Sequence, residues 1–391
     1  MANYIDRGII FKIKKVLRYA RIYGLRRTII KVLAQFHMSG KAIPKLRIDL
    51  FSRDRDKIIG IVGCGNFAFS TIAYYTRAIK GNVIRATMDI EHGRAYSLGK
   101  FYGAEYCCTN FNRILEDEKI SLVFISSNHA SHANYAVDIV RSGKHVHIEK
   151  PIAVSLSQLE SLRLAMNAQP EVKIFLGFNR PRSELFRKLS TALSKEEGSL
   201  MINWFVAGHQ IDDNHWYFST GEGGRVLGNL CHWLDLSLHL VGLDNAFPCL
   251  VIPSSGPEER SDFIVTLQFA DGSKSAITFS AKGHSFEGVR EILNVHRGNL
   301  IATLTDFSSL VMNILDKKIV YKTSSRDHGH KNNIRNTLDG LTESLGESSS
   351  YVLVTSLLAL GVKEAVDSGR SVRIPVVDKE QPIPQVWELI D

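Results

Sequence analysis

The stretch KIIGIVGCGNFAFSTIAYYTRAIK, residues 57–80, sets a buried-strand pattern against a helix pattern across a turn with two glycines. That turn, Gly63-Cys64-Gly65-Asn66-Phe67-Ala68, has the spacing G-x-G-x-x-A. A lone glycine pattern is weak, but between a strand and a helix each small residue has a separate job. Gly63 permits the tight turn, Gly65 lets the backbone approach a pyrophosphate, and Ala68 is small enough for the helix to lie close on the sheet. The free amides at the helix start, around Asn66 and Phe67, then favour phosphate. Asp89 closes the next predicted strand, 24 residues after Gly65. A carboxylate there accepts hydrogen bonds from an adenosine ribose and repels a 2′-phosphate, so NAD is the expected cofactor. His92 and Arg94 lie near enough in sequence to leave NADP open.

Strand and helix patterns keep alternating from Lys57 to Phe178, which predicts βαβ units and a doubly wound parallel sheet, a Rossmann domain. Beyond about residue 198 the pattern changes to consecutive strands such as SLMINWFVAG, DFIVTLQFA and SKSAITFSA, with a tight turn at Asp271-Gly272. That predicts an α+β domain built on an open antiparallel sheet. The expected organisation is a leader and linker over 1–56, a nucleotide-binding domain over 57–178, and a substrate and oligomerisation domain over 179–391.

The net charge of +8 is concentrated in the leader. Residues 1–50 hold 12 Lys and Arg against 2 acids, so the remainder sums to −2. A nucleic-acid enzyme carries such charge on its main domain more often, and no nucleic-acid partner is expected. Apolar residues recur at helical spacing (Ile9, Ile13, Val16, Leu17, then Leu25, Ile29, Ile30, Leu33), with a break at Gly24. Two expectations stay open for residues 1–40: contact with the body or a partner, or with the anionic inner face of a membrane. The five cysteines form no CxxC pair, which fits a reducing cytoplasm.

The stretch GKHVHIEKP places His145, His147 and Glu149 two residues apart, so on a strand they share one face and raise the question of a metal. The order of elements answers it differently. A Rossmann unit followed by NHASHA, GKHVHIEKP, GFNR and GGRVLGNLCHWLDL resembles the glucose–fructose oxidoreductase / inositol dehydrogenase / MocA family over roughly residues 57–375. Glu-Lys-Pro is the most specific element, and no metal is expected. The closest flavour is a branch associated with bacterial surface-polysaccharide genes.

The resemblance implies hydride transfer between nicotinamide and a carbinol carbon of a sugar or nucleotide-sugar, in polysaccharide precursor synthesis. It implies a homo-oligomer through the C-terminal sheet. It makes Lys150 and His232 catalytic, the lysine steadying alkoxide charge and the histidine exchanging the hydroxyl proton. Ser127, His129 and Glu149 join the glycine turn and Asp89 around the cofactor, and His132 is a structural helix-start residue. Asn179, Arg180, His215, Trp216 and Asn229 are the expected substrate contacts, with Asp212, Asp213 and Lys331 as further polar candidates. One departure stands out: where relatives place an aspartate four residues before the histidine, this chain has Gly228. The departure leaves open a redox-assisted glycoside hydrolase, and a non-catalytic sugar- or cofactor-sensing subunit is the remaining alternative.

Overall fold

The glycine turn sits where its spacing requires, in a computed structural model that describes residues 8–39, 54–209, 211, 214–254, 262–283, 286–343, 346–376 and 380–390. The linker around 40–53, and Asp212 and Asp213, lie outside the described residues. Strand β1 (Asp54–Val62) enters the turn, and the chain leaves it through a wide π-helical stretch, Ala68–Ala73, that tightens into the α-helix Tyr74–Lys80. The next strands are β2 (Asn82–Met88), β3 (Tyr106–Cys108), β4 (Leu122–Ile125), β5 (His145–Ile148) and β6 (Ile174–Leu176). All pair in parallel, in the order β3-β2-β1-β4-β5-β6. The order reverses between β1 and β4, and ligands of such sheets bind outside the carboxyl ends of the strands at that point.

The central strands are apolar throughout because helices cover both faces. Ile59, Ile61, Leu122 and Phe124 pack on one side with Phe69, Ile72 and Leu98. That core is completed from distant sequence, by Ala34 of the leader and by Ile334 and Leu338 of the helix His330–Glu343. On the other side Val62, Val123, Ile125 and Ile148 belong to a core that runs without interruption into the second half.

The second sheet has ten strands: β7 (Met201–Ala207), β8 (Cys249–Pro253), β9 (Asp262–Gln268), β10 (Lys274–Ser280), β11 (Arg290–Arg297), β12 (Leu300–Thr305), β13 (Ser309–Ile314), β14 (Lys317–Lys322), β15 (Ser371–Ile374) and β16 (Glu388–Ile390). It is antiparallel except that β7 and β10 run parallel, register Ile277 to Trp204. Burial alternates along β7, with Ile202, Trp204 and Val206 inward and Met201 and Phe205 outward. The inner face is covered by the helices Cys231–Val241 and Ser349–Ser368. The latter is apolar and 20 residues long, but most of it is buried, as in the core helix of a globular fold.

The leader forms two helices, α1 (Ile9–Tyr23) and α2 (Leu25–His37), hinged at Gly24. Both lie against the body. Ile30 and Ala34 are buried, and the Arg27 guanidinium donates to Thr71 Oγ1 at 2.8 Å and stands over Tyr74 and Tyr75. His37 stacks on Phe69 and bonds Cys64 O at 2.7 Å through Nε2. The leader is thus a third layer on the nucleotide side of the sheet.

Candidate active site

The turn after β1 is clamped from two neighbouring strands. Gly63 N donates to Met88 O at 2.9 Å, and Ser126 Oγ donates to Gly63 O at 2.9 Å. Gly63 has φ +83°, and a Cβ there would lie 2.4 Å from Ser127 N, so no other residue fits. At Gly65 the opposite holds: nothing lies within 4 Å of where a Cβ would stand. That open space in front of a helix start is a cradle of the kind a pyrophosphate occupies, so the residues fit a dinucleotide. Asp89, 7 % exposed, accepts from Cys64 N at 2.7 Å through Oδ2 and from Glu91 N at 2.9 Å through Oδ1. It braces the turn. Ala68 is fully buried beneath the turn.

Strand β5 delivers the Glu149-Lys150 pair to the same crevice, ahead of a cis Lys150–Pro151 bond. Glu149 is buried because position 177 is glycine, where a Cβ would come within 2.4 Å of its Oε2. His147 turns inward to Thr337 Oγ1 at 2.8 Å, and His145 accepts from Lys173 N at 3.1 Å. Among the described residues no group of three His, Cys, Asp or Glu side chains converges to hold a metal ion. Lys150 Nζ crosses to the second half and donates to Gly228 O at 2.7 Å. Burial favours the neutral amine, but Tyr217 and Cys231, through their ionised forms, and Glu149 outweigh it and raise the pKa. Lys150 is therefore an ammonium at neutral pH.

Gly228 lies in a π-helical turn, Val226–Leu230, that leads into the helix carrying His232. A Cβ at 228 would fall 2.6 Å from the Tyr217 ring and 2.9 Å from His129 Cε1. The departure from the family pattern is thus built into the packing, and a backbone carbonyl, not a carboxylate, meets the lysine. His232 lines the crevice, and its buried Nδ1 has no hydrogen-bond partner among the described residues. Its pKa is held well below the ordinary value by burial and by the charges of Arg180 and Lys150. Asn229 points away to Arg225, whose Nη1 donates to its Oδ1 at 3.2 Å. It does not line the cavity, because the π-turn aims the carbonyl of Gly228, not the side chain of Asn229, at the crevice.

His129 is 3 % exposed, bonds Glu222 O at 2.9 Å through Nδ1, and is pushed down to about 2 by burial and then by Lys150. The loop carrying Glu222 is fastened there: its carboxylate accepts from Asn128 Nδ2 and from Ala130 N. Trp216 packs edge-on against His129 at 4.6 Å and lines the crevice. His215 does not line it; its Nδ1 caps the turn by accepting from Tyr217 N. His132 places its two ring nitrogens at Pro151 O and Ser127 O, tying the loop after β4 to the loop after β5. Ser127 and Asn179 line the crevice, and Asn179 Nδ2 donates to His328 O. Arg180 also lines it, but its fork is engaged by Glu291 at 2.7 and 3.0 Å. Burial pushes the Glu291 carboxyl up, yet Arg180 and His328 outweigh it and hold it well below the usual range.

The cavity has a volume of about 1380 Å³ and includes residues that composition and spacing did not single out. Tyr217, His328 and His330 come from the second half. Lys15, Arg18, Arg27 and Lys31 come from α1 and α2, because the leader roofs the crevice. Helical periodicity reported that one face of each leader helix is covered; it carried no information about what covers it.

Comparison with known proteins agrees with this fold. Residues 57–178 match the GFO_IDH_MocA model, an oxidoreductase family with an NAD-binding Rossmann fold. The chain is 27 % identical over 227 residues to the uncharacterized oxidoreductase YrbE of Bacillus subtilis, covering 56 % of this chain and 66 % of that protein. It is 32 % identical over 209 residues to inositol 2-dehydrogenase 2 of Saccharopolyspora erythraea, covering 52 % of this chain and 60 % of that one. The matched stretch thus spans about two-thirds or less of these relatives' length. In structure, a levoglucosan dehydrogenase solved with NADH and levoglucosan superposes with a TM-score of 0.69 at 14 % identity, over 82 % of this chain and all of its own.

Restoring a side chain at 228 has a definite consequence. Gly228→Ala and Gly228→Asp force Tyr217 or His129 aside, and overpacking of this kind costs about 1–3 kcal/mol. Urea titration should show a lowered midpoint for both, with Gly228→Asp no better than Gly228→Ala; an aspartate that raised stability would contradict the packing.

Proposed function

We propose, from the premise that this chain belongs to the Gfo/Idh/MocA oxidoreductases through its Rossmann domain, residues 57–178, that it is a nicotinamide-dependent dehydrogenase acting on a sugar or nucleotide-sugar hydroxyl. The observation that carries this reading is the meeting of Lys150, from the Rossmann half, with Gly228 O and His232, from the other, beside an open dinucleotide cradle. A role in polysaccharide precursor synthesis is the finer form of the proposal.

Gly63, Gly65, Asn66, Phe67 and Asp89 hold the dinucleotide in this reading, with Ser127, His129 and Glu149 around its nicotinamide end. When bound, that group supplies the hydride acceptor. Lys150 keeps its proton and sets a positive charge beside the substrate oxygen, stabilising an alkoxide as it develops. His232 starts neutral and takes the hydroxyl proton; with Nδ1 closed off, the exchange is assigned to Nε2. Arg180, locked on Glu291, acts as a fixed charge at the wall. Trp216 offers an apolar face to a sugar ring.

With NAD and a panel of nucleotide-sugars, turnover should appear as nicotinamide absorbance, and Lys150→Ala should lower kcat by about 10²–10⁴-fold. Because His232 is depressed below its ordinary value and must be neutral to accept a proton, kcat/KM should stay flat as pH falls to 6.5 and drop only below it. An acid limb with its midpoint above pH 6.5, or failure to bind NAD or NADP, would sink the assignment.

We infer further that the outer faces are contact surfaces. On the second sheet Met201, Phe205, Ile264 and Ile301 are about half exposed, an apolar face that a second copy covers. Light scattering should report a dimer or higher species that Phe205→Lys dissociates; a monomeric wild type refutes it. On α1, Ile9, Ile10, Ile13 and Leu17 are more than half exposed beside the exposed Lys12 and Lys14, a pairing that suits an anionic lipid surface. Vesicles containing phosphatidylserine should co-sediment the full chain, and Ile13→Glu/Leu17→Glu should abolish it; binding unchanged by that pair removes the role.

A further inference from the structure

The roof of the crevice carries one charge, on Lys31, that nothing among the described residues answers. Nine Lys and Arg side chains line the cavity against four acids, Asp89, Glu149, Glu287 and Asp327. Three of the acids are engaged: Asp89 by the glycine turn, Glu287 by Arg18, and Asp327 by the amides of Gly329 and Glu184. Of the roof cations, Arg18 has Glu287, and Arg27 has Thr71 and two tyrosine rings. Lys31 of α2 is half-buried and has no hydrogen-bond or ion-pair partner among the described residues. Burial, and then Arg27, pull its pKa down to about 8.

Its surroundings place it between the two ligand regions. The charge of Lys31 reaches His330, whose ring neighbours Phe67 of the glycine turn at 5.9 Å, and also reaches His209 after β7 of the second half. A dinucleotide pyrophosphate brings only about two negative charges, held at the helix start below, and leaves the lining still positive. An ammonium kept half-buried without a counter-ion costs free energy that an anionic ligand recovers.

We propose that Lys31 of the leader is a substrate-binding residue that takes a phosphate or diphosphate group, so that the substrate is a phosphorylated or nucleotide-linked sugar. This rests on the dehydrogenase reading above and narrows its substrate class. The same ammonium is the feature that makes α2 part of the active site and not only its cover.

The test uses the full chain. Calorimetry measures NADH first, then UDP, dTDP and inorganic pyrophosphate against the NADH-loaded protein. The proposal expects at least one of the three to bind the wild type, about tenfold or more weakly to Lys31→Ala, with Lys31→Arg close to wild type. NADH affinity should stay within about twofold in both variants. Wild-type affinity for the phosphate probe should fall as pH rises through 8 to 9, where free Lys31 loses its proton, and Lys31→Arg should remove that fall. If NADH binds and none of the three probes does, the proposal is overturned while the dehydrogenase reading stands. If Lys31→Ala weakens NADH as much as the probes, the lysine serves the cofactor's pyrophosphate and the proposal is equally overturned. Absence of NADH binding to the wild type overturns the dehydrogenase reading itself, and this proposal with it.

Discussion

No side chain fits at position 228, and much of the crevice depends on that vacancy. The Tyr217 ring and His129 press against the Gly228 backbone, which leaves its carbonyl as the acceptor for Lys150 Nζ. That bond joins the strand end of the Rossmann half to the π-turn of the other half. The same turn starts the helix that holds His232, so a single contact fixes the lysine and histidine relative to each other. A carbonyl suits this task. It accepts a hydrogen bond without adding a full negative charge, so the ammonium keeps more of its field than it would beside a carboxylate.

The electrostatics around that contact follow from burial acting on different chemical types. Desolvation disfavours charge on His129, His132, His232 and His330 alike, and neighbouring cations push the same way. The site therefore holds several imidazoles that stay neutral at physiological pH. Glu291 shows the opposite balance: buried as deeply, it remains charged because Arg180 grips it in two bonds and Trp233 Nε1 donates at 3.0 Å. The crevice thus sets a neutral histidine beside an ammonium and a locked guanidinium.

Much of this was legible in the sequence. The glycine turn fixed its own conformation, since Gly63 has a positive φ and a backbone neighbour where a Cβ would go. The parallel sheet followed from alternation, and Glu-Lys-Pro marked the strand that reaches the crevice. Residues read from position alone fared less evenly. Asn229 lies one place from the atom that meets Lys150, because a π-turn rotates successive residues differently from an α-turn and presents the carbonyl of Gly228. His215 caps a local turn and lies outside the cavity lining, a distinction that rests on the path of an irregular loop. The one parallel pair in the second sheet among the described residues, β7 with β10, depends on long-range strand order that local alternation does not encode.

The leader shows where a sequence pattern stops. Amphipathic spacing in α2 correctly implied a covered face, and the same pattern serves a membrane, a partner or the body equally well. What decided among them was a set of single contacts at either end of the helix: Arg27 on Thr71, and His37 between Ser97 Oγ and Cys64 O. Cys64 is the middle residue of the glycine turn and also donates its amide to Asp89. The leader is therefore bonded to the carbonyl of the residue whose amide Asp89 holds, in the turn that fits a pyrophosphate. Through that bond α2 and the glycine turn meet at one backbone unit, so the basic leader is part of the wall of the crevice whatever its outer face meets.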